Sequence, residues 1–337
     1  MSLKPDRNLA IELVRVTEAA ALSAAHYMGM GNKEAGDQAA VDAMRAVLQT
    51  VEMDGVIIIG EGEKDQAPML YNGERVGSGH GPAVDVAVDP VEGTRLLALG
   101  RPNAISVIAM ADRHSMWLPG SSHYMNKIVV EKAAKEAIDI NLSPTENLHR
   151  VAEALHRSVN ELTVFVLDKP RHQDLITEIR RAGARISLHT DGDVVGALMA
   201  AIPGTGVDIL MGIGGTPEAV IAATAVKALD GAMQAVRAPQ SQAERELVLA
   251  ETNDINEVLT VETLVKSEDA FFAATGITEG PLLEGIHYDR RGGVTTHSIV
   301  IRAVTGSVRY IKGMHQLRRD LAFGRVNVDE AVQMVIH

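Results

Sequence analysis

The sequence predicts a mixed α/β and α+β protein with two sheet domains, and three observations carry that expectation. From Thr163 onward, short β-branched runs alternate with amphipathic stretches in the rhythm of βαβ units. Before about residue 160, paired helical patterns precede strands that have no regular helical crossovers, which is the arrangement of an α+β fold. The chain also has 337 residues, more than one ordinary core holds, and it is 46% hydrophobic but only 3% aromatic. Its cores must therefore be built from Ala, Val, Ile, Leu and Met, in domains spanning 1–160 and 161–337.

Each element has a local reason. From Leu9 to Met28 the residues Leu13, Val14, Ala20, Ala21, Ala24 and Met28 keep helical spacing, and Gly29-Met30-Gly31 supplies C-cap chemistry. A second helix is expected from Lys33 to Gln49. Val56 to Ile59 is a short β-branched run ended by Gly60; Val84, Val86 and Val88 alternate as on a strand, and Ala104 to Ala111 reads as a buried strand. After Asn141-Leu142-Ser143-Pro144 a helix is expected over Glu146 to His156. The alternation that follows runs strand Thr163 to Leu167, helix Arg171 to Ala182, strand Arg185 to Leu188, helix Asp193 to Ala201, strand Val207 to Met211, helix Pro217 to Leu229 and strand Ala232 to Val236. Thr295 to Arg302 and Ser307 to Lys312 form a hairpin around Thr305-Gly306, and either sheet could receive it.

Composition narrows the chemistry. A formal charge of −12 disfavours nucleic acid as a partner, because binding a phosphate backbone needs a clustered basic surface. A phosphorylated small molecule remains compatible with an acidic chain, held by a few cationic side chains, helix N-termini or bound cations. With no cysteine there are no disulfides, no thiolate catalysis and no sulfur-ligated metal. Met1 to Arg7 lacks a signal pattern, and the apolar runs fall far short of the roughly 20 residues of a membrane span, so a soluble cytoplasmic protein without a membrane partner is expected.

Acidic residues recur where the pattern expects apolar or turn residues. On the second helix, Ala40, Val41, Met44, Val47 and Leu48 form one stripe, and stepping back along it reaches Asp37 and then Lys33, both predicted on the inward side. A half-buried carboxylate must be paired or hold a metal, so the choice there lies between a ligand and an Asp37–Lys33 ion pair. Gly60-Glu61-Gly62-Glu63 leaves a strand end through glycines that admit a cation; the plainer reading is a solvated turn. Asp89-Pro90-Val91-Glu92-Gly93-Thr94 then packs two carboxylates, a hydroxyl and the Val91 carbonyl into one turn, with Pro90 expected to end the strand. Such oxygens suit Mg²⁺, while the alternative is an Asx-type turn with Thr94 as a helix cap. His26, His80, His114, His123, His149 and His156 lack metal-ligand spacing.

The last of these motifs resembles the signature of the lithium-sensitive, metal-dependent sugar-phosphatase superfamily. Gly60 to Asp65 with Ala67-Pro68-Met69-Leu70-Tyr71, Asp168-Lys169-Pro170-Arg171-His172, Asp191-Gly192-Asp193, Gly212 to Glu218 and Ala274 to Thr278 together resemble the bacterial class II fructose-1,6-bisphosphatases, from Asn8 to about His315. Asn32 stands where that family often has Asp, and Gln38 where it often has Gly. The resemblance implies a layered α-β-α-β-α arrangement, Mg²⁺ with Mn²⁺ able to substitute, and metal ligands Asp37, Glu61, Asp89, Glu92, the Val91 carbonyl and Glu218. It implies a homodimer or homotetramer, and the gluconeogenic removal of the 1-phosphate of fructose 1,6-bisphosphate. The same hydrolase acting on sedoheptulose 1,7-bisphosphate or inositol phosphates, and a non-catalytic sugar-phosphate sensor, are the alternatives.

The remaining motifs would hold substrate. Gly212 to Gly215 follow a strand, with Thr216 expected as N-cap and Pro217 as first helical residue; the spacing departs from a dinucleotide fingerprint. Gly214 and Gly215 are candidate backbone contacts. Lys169 and Arg171 stand at the carboxyl end of a strand and suit a phosphate, although a solvated helix start explains them too. The resemblance assigns them, with Tyr124, to the 6-phosphate, and Asp191, Gly192 and Asp193 to sugar hydroxyls, where N-capping is the plainer reading. In the chemistry expected, water attacks the 1-phosphate in line beside divalent ions, Thr94 orients it with help from Glu61 or Asp65, and Lys33 neutralises phosphate charge.

Overall fold

The structure is a computed structural model that describes residues 9–62, 69–252, 254–289, 293–316 and 327–336. Two alanine-rich helices come first, α1 (Leu9–Ala25) and α2 (Lys33–Leu48), followed by β1 (Asp54–Ile59), β2 (Arg75–Val76), β3 (Ala83–Glu92), α3 (Thr94–Leu99) and β4 (Ile105–Asp112). Next are β5 (Tyr124–Val130), α4 (Pro144–Ala154), β6 (Thr163–Leu167), α5 (Gln173–Ala182), β7 (Arg185–His189), α6 (Asp193–Ala201), β8 (Ile209–Gly215), α7 (Thr216–Ala228), β9 (Ala232–Arg237), α8 (Gln242–Glu251), β10 (Leu259–Thr260) and α9 (Val261–Leu264). The chain closes with β11 (Ala270–Gly276), β12 (His287–Tyr288), β13 (Gly293–Arg302), β14 (Ser307–Gln316) and α10 (Val328–Ile336). The fold class is mixed α/β, with two mixed sheets.

The chain forms two compact units, Met1–Ser115 together with Asp269–His337, and Met116–Glu268. The change of pattern near residue 160 is therefore not the division between them. It marks only the start of regular alternation inside the second unit, whose sheet already holds β5.

In the first unit the sheet order is β12-β13-β11-β4-β3-β1-β2, with β14 on β13. Only β1 and β3 run parallel; the other pairs are antiparallel. The C-terminal hairpin joins this sheet, so residues from both ends of the sequence share one core. Leu13, Val16, Leu22, Met44 and Leu48 of α1 and α2 pack with Ile57, Val86, Met110, Ala273 and Val300 of the strands in that core, and Ala331 and Val335 of α10 join them. The small side chains along α1 leave it buried on nearly every side, as close helix-on-sheet packing requires. Asn32 caps α2 with its Oδ1, which accepts from Ala35 N at 3.1 Å. The amide at this departure from the family pattern thus does the work of a carboxylate cap.

In the second unit the order is β10-β9-β5-β8-β6-β7. The parallel β6, β7 and β8, together with β9, are the strands that the βαβ rhythm predicts, whereas β5 runs antiparallel between β8 and β9. Side-chain alternation separates two helical layers. Val164 and Val166 of β6 share a core with Leu148 and Val151 of α4 and Ile176 and Ile179 of α5, while Phe165 between them faces Gly196 of α6, where a Cβ would come within 2.5 Å of the ring. Ser143 and Glu146 form a capping box that starts α4 at Pro144.

Candidate metal and substrate sites

The acidic turn of the first unit is built by a register break. Asp89 on β3 pairs with Val107, and three residues later Glu92 pairs with Ile105, only two residues further along β4. One extra residue therefore sits in β3, a bulge at Pro90 and Val91, where proline's missing N–H does least harm. In an unbroken strand, residues three apart point to opposite faces. The bulge cancels that, and carboxylate oxygens of Asp89 and Glu92 lie within 4.8 Å of one another, the spacing of groups that can hold a metal ion. β3 continues through Glu92, so Pro90 does not end it. Asp89 Oδ1 also accepts from Val91 N at 3.1 Å, so the Asx turn exists alongside the carboxylate pair. Gly93, at φ +90°, turns the chain into α3, and Thr94 is its first residue rather than its cap.

Parallel pairing of Ile59 with Ala87 sets the exits of β1 and β3 side by side, so that Glu61 and Asp89 each follow two residues beyond the paired positions. A Cβ at Gly60 would lie 2.0 Å from the Leu70 carbonyl, which accepts from Glu61 N at 3.0 Å. Glycine is thus required for the loop to lie this close. Burial pushes the Glu61 carboxyl up to about 7, and the charge of Asp37 adds to it; Asp37 is itself raised, again chiefly by burial, with Lys33 opposing. Asp37 and Glu61 are accordingly brought into one electrostatic field. Lys33 corrects its expected inward placement: it is 54% exposed, with Nζ 3.4 Å from Glu34, because it occupies the first, solvent-facing turn of α2. Asp85 is buried and structural, its Oδ2 accepting from Ser115 N at 2.9 Å. Asp65 lies outside the described residues.

In the second unit, the carboxyl ends of β6 and β8 and the start of β5 gather the remaining candidates. Tyr124 pairs with Gly215, and the Arg171 guanidinium lies 5.2 Å from the centroid of its ring. Lys169 Nζ lies 3.8 Å from Asp191 Oδ1. Gly192, at φ +83°, is the N-cap of α6, so neither Asp191 nor Asp193 caps that helix with its side chain. Asp193 instead forms a buried ion pair with Lys127, whose Nζ also donates to the Gly215 carbonyl at 3.0 Å. A Cβ at Gly214 would fall 1.6 Å from Asp193 Oδ2, so that position must be glycine for the pair to form. Gly215, not Thr216, is the N-cap of α7, which places Glu218 in the first helical turn. Its Oε2 would lie 1.8 Å from a Cβ at Gly215.

The site carboxylates suit a hard divalent cation. Glu218 Oε2 is buried with no hydrogen-bond partner, and burial foremost, then Asp193, raises the pKa of its carboxyl. A buried carboxylate oxygen without a donor, together with the all-oxygen character of the acidic groups, fits Mg²⁺ or Mn²⁺ better than zinc, which favours nitrogen and sulfur. Sequence reasoning missed Lys127 and His172. Lysine in a strand reads as solvent-facing, and the only available signal for Lys127 was its place among the apolar residues Met125, Ile128 and Val129.

The bacterial fructose-1,6-bisphosphatase family, glpX-encoded, matches residues 7–315. Among individual proteins, the chain is 44% identical over 327 residues to fructose-1,6-bisphosphatase 1 class 2 of Escherichia coli strain K12, covering 93% of this chain and 96% of that one. A fructose-1,6-bisphosphatase class 2 of Shigella flexneri matches to the same extent. The chain belongs to the bacterial, glpX-encoded fructose-1,6-bisphosphatase family. It is thereby a phosphoric monoester hydrolase. No helix among the described residues is long and apolar enough to cross a membrane.

Proposed function

We propose that this chain hydrolyses the 1-phosphate of fructose 1,6-bisphosphate to fructose 6-phosphate and phosphate, as a Mg²⁺-dependent cytoplasmic enzyme of gluconeogenesis in which Mn²⁺ can substitute. The observation that carries the reading is the bulge that turns Asp89 and Glu92 to one side. The likeness to relatives named class 2 fructose-1,6-bisphosphatase supports the substrate. Asp37, Glu61, Asp89, Glu92, the Val91 carbonyl and Glu218 are assigned to hold the ions. Bound there, divalent cations lower the pKa of water and offset the charge of the transferred phosphoryl group.

The chain's own groups do the rest. The Thr94 hydroxyl orients the attacking water, and the water's proton passes to a neighbouring carboxylate, Glu61 or Asp65. Lys33 contributes positive charge from the start of α2. Lys169, Arg171 and Tyr124 are assigned to the 6-phosphate, and Asp191, Asp193 and the backbone of Gly192, Gly214 and Gly215 to the sugar. With Asp193 already paired to Lys127, its second carboxylate oxygen is the one offered to a hydroxyl. The chain is further proposed to act as a homodimer or homotetramer, which light scattering on the purified protein tests.

Phosphate release from fructose 1,6-bisphosphate, sedoheptulose 1,7-bisphosphate and inositol monophosphate, with Mg²⁺, Mn²⁺ and Li⁺ varied, tests the assignment. Fastest cation-dependent turnover of the fructose ester is expected. Preference for inositol monophosphate would overturn it.

A further inference from the structure

We propose that His172 is a positioning residue, a neutral imidazole that locks the turn carrying Lys169 and Arg171 onto the glycine-rich end of β8. This rests on the reading that Lys169 and Arg171 hold the phosphate that is not cleaved. The ring is buried, at 2% exposure, at the end of a single 3-10 turn between β6 and α5. Both of its nitrogens are engaged: Ile213 N donates to Nε2 at 2.7 Å, and Nδ1 lies 2.7 Å from the Leu167 carbonyl. A backbone N–H can only donate and a carbonyl can only accept. Nε2 is therefore unprotonated and Nδ1 carries the hydrogen, which fixes the tautomer.

Ile213 is held from its other side by the neighbouring side chain, its carbonyl accepting from Arg171 Nε at 3.1 Å and Nη2 at 2.8 Å. One residue of β8 is thus gripped at both backbone polar atoms by consecutive side chains of the phosphate turn. Gly212, at φ +132°, permits the approach, since a Cβ there would lie 3.0 Å from Nε2. The guanidinium so fixed lies against Tyr124, and the strand end so fixed leads to Gly215 and Glu218. The two ends of a bisphosphate would be registered against each other through this ring.

Protonating Nε2 would set two donors against each other at Ile213 and release the clamp. The charged groups near the ring are Lys169 and Arg171 from its own turn and Asp193 from α6. Burial is the largest influence and lowers the pKa of the ring; the Leu167 contact opposes it, Arg171 adds to the lowering, Asp193 opposes and Lys169 lowers. The clamp is therefore closed at neutral pH and opens in acid.

Steady-state kinetics of the full chain test this on fructose 1,6-bisphosphate and fructose 1-phosphate, with His172→Phe, which keeps a flat ring but loses both nitrogens, His172→Gln, which keeps a donor and an acceptor, and Lys169→Ala alongside. His172→Phe is expected to raise KM for the bisphosphate about tenfold, with little change in kcat or in KM for the monophosphate, and His172→Gln to restore most of the loss. In the parent chain KM for the bisphosphate should rise in acid, below the ordinary histidine range, a rise that His172→Gln flattens. If Lys169→Ala is selective for the bisphosphate but His172→Phe is not, the clamp is wrong and the phosphate assignment stands. If Lys169→Ala is unselective, the phosphate assignment fails and takes the kinetic role of His172 with it. Should His172→Phe not fold, ¹⁵N NMR of the parent chain decides: an Nε2-protonated ring at neutral pH, or a bisphosphate KM flat through the acid range, overturns the proposal.

Discussion

A Cβ at Gly215 would have to share space with the Glu218 carboxylate, which leaves almost no freedom at that position. Gly215→Ala is expected to cut kcat by about 100-fold while the protein stays folded, because a displacement near 1 Å at a reacting centre has that effect. Steady-state kinetics with circular dichroism on the same preparation check both halves. Glu61 supplies a pH signature. Its carboxyl ordinarily titrates at 4.5 and is pushed up to about 7, so in the cation-free protein the folded state holds a proton that the unfolded chain has lost. Stability from this group is complete at acid pH and declines as pH rises from 4.5 to above 7. A bound cation needs the ionised carboxylate, so the rise in Tm produced by saturating Mg²⁺ should grow across that same window. Thermal melts at several pH values, with and without the ion, measure it; a Mg²⁺ effect that shrinks with pH would contradict the assignment of Glu61.

At the level of elements, two devices shape the sites, the bulge in β3 and the buried Lys127–Asp193 pair that ties β5 to the start of α6. Lys127→Met is expected to destabilise the protein by about 3–5 kcal/mol, because Asp193 is left buried and uncompensated, and urea titration reads the change. Replacing both residues, Lys127→Met with Asp193→Leu, should recover part of the stability but not the activity. These devices also show what the sequence revealed and what it hid. Val84, Val86 and Val88 announce β3, and the acidic turn after them is plain in composition. That Asp89 and Glu92 point the same way depends on a register shift against β4, a pairing between strands that local pattern does not encode. β11 escaped notice because Ala270 to Gly276 is buried on both faces and has no alternation to read. β5 escaped because Asn126 and Lys127 interrupt its apolar run. The helices of the βαβ stretch were legible to within two residues at their edges because crossover helices impose both periods on one contiguous stretch, whereas β8 runs on to Gly215 through the glycines expected to follow it, paired there with β5.

For the whole molecule, the first unit is assembled from both ends of the chain, with the second inserted between Ser115 and Asp269. Its central strand β11 comes from beyond the insertion and lies between β4 and β13, a long-range pairing that no boundary drawn along the sequence would reveal. A fragment spanning 116–268 is expected to fold alone, giving dispersed amide resonances, whereas a fragment of 1–160 lacks β11 and β13 and should not. The account depends most on the assigned carboxylates serving a cation-dependent reaction at the sugar's first carbon. ³¹P NMR of fructose 1,6-bisphosphate turnover tests it directly, in Mg²⁺ and in chelator, for the parent chain and for Asp89→Asn and Glu218→Gln. The expected result is loss of the C1 phosphate signal with the C6 signal intact, only in Mg²⁺ and only in the parent chain. Turnover that survives chelation or either substitution, or that removes the C6 phosphate first, would contradict it.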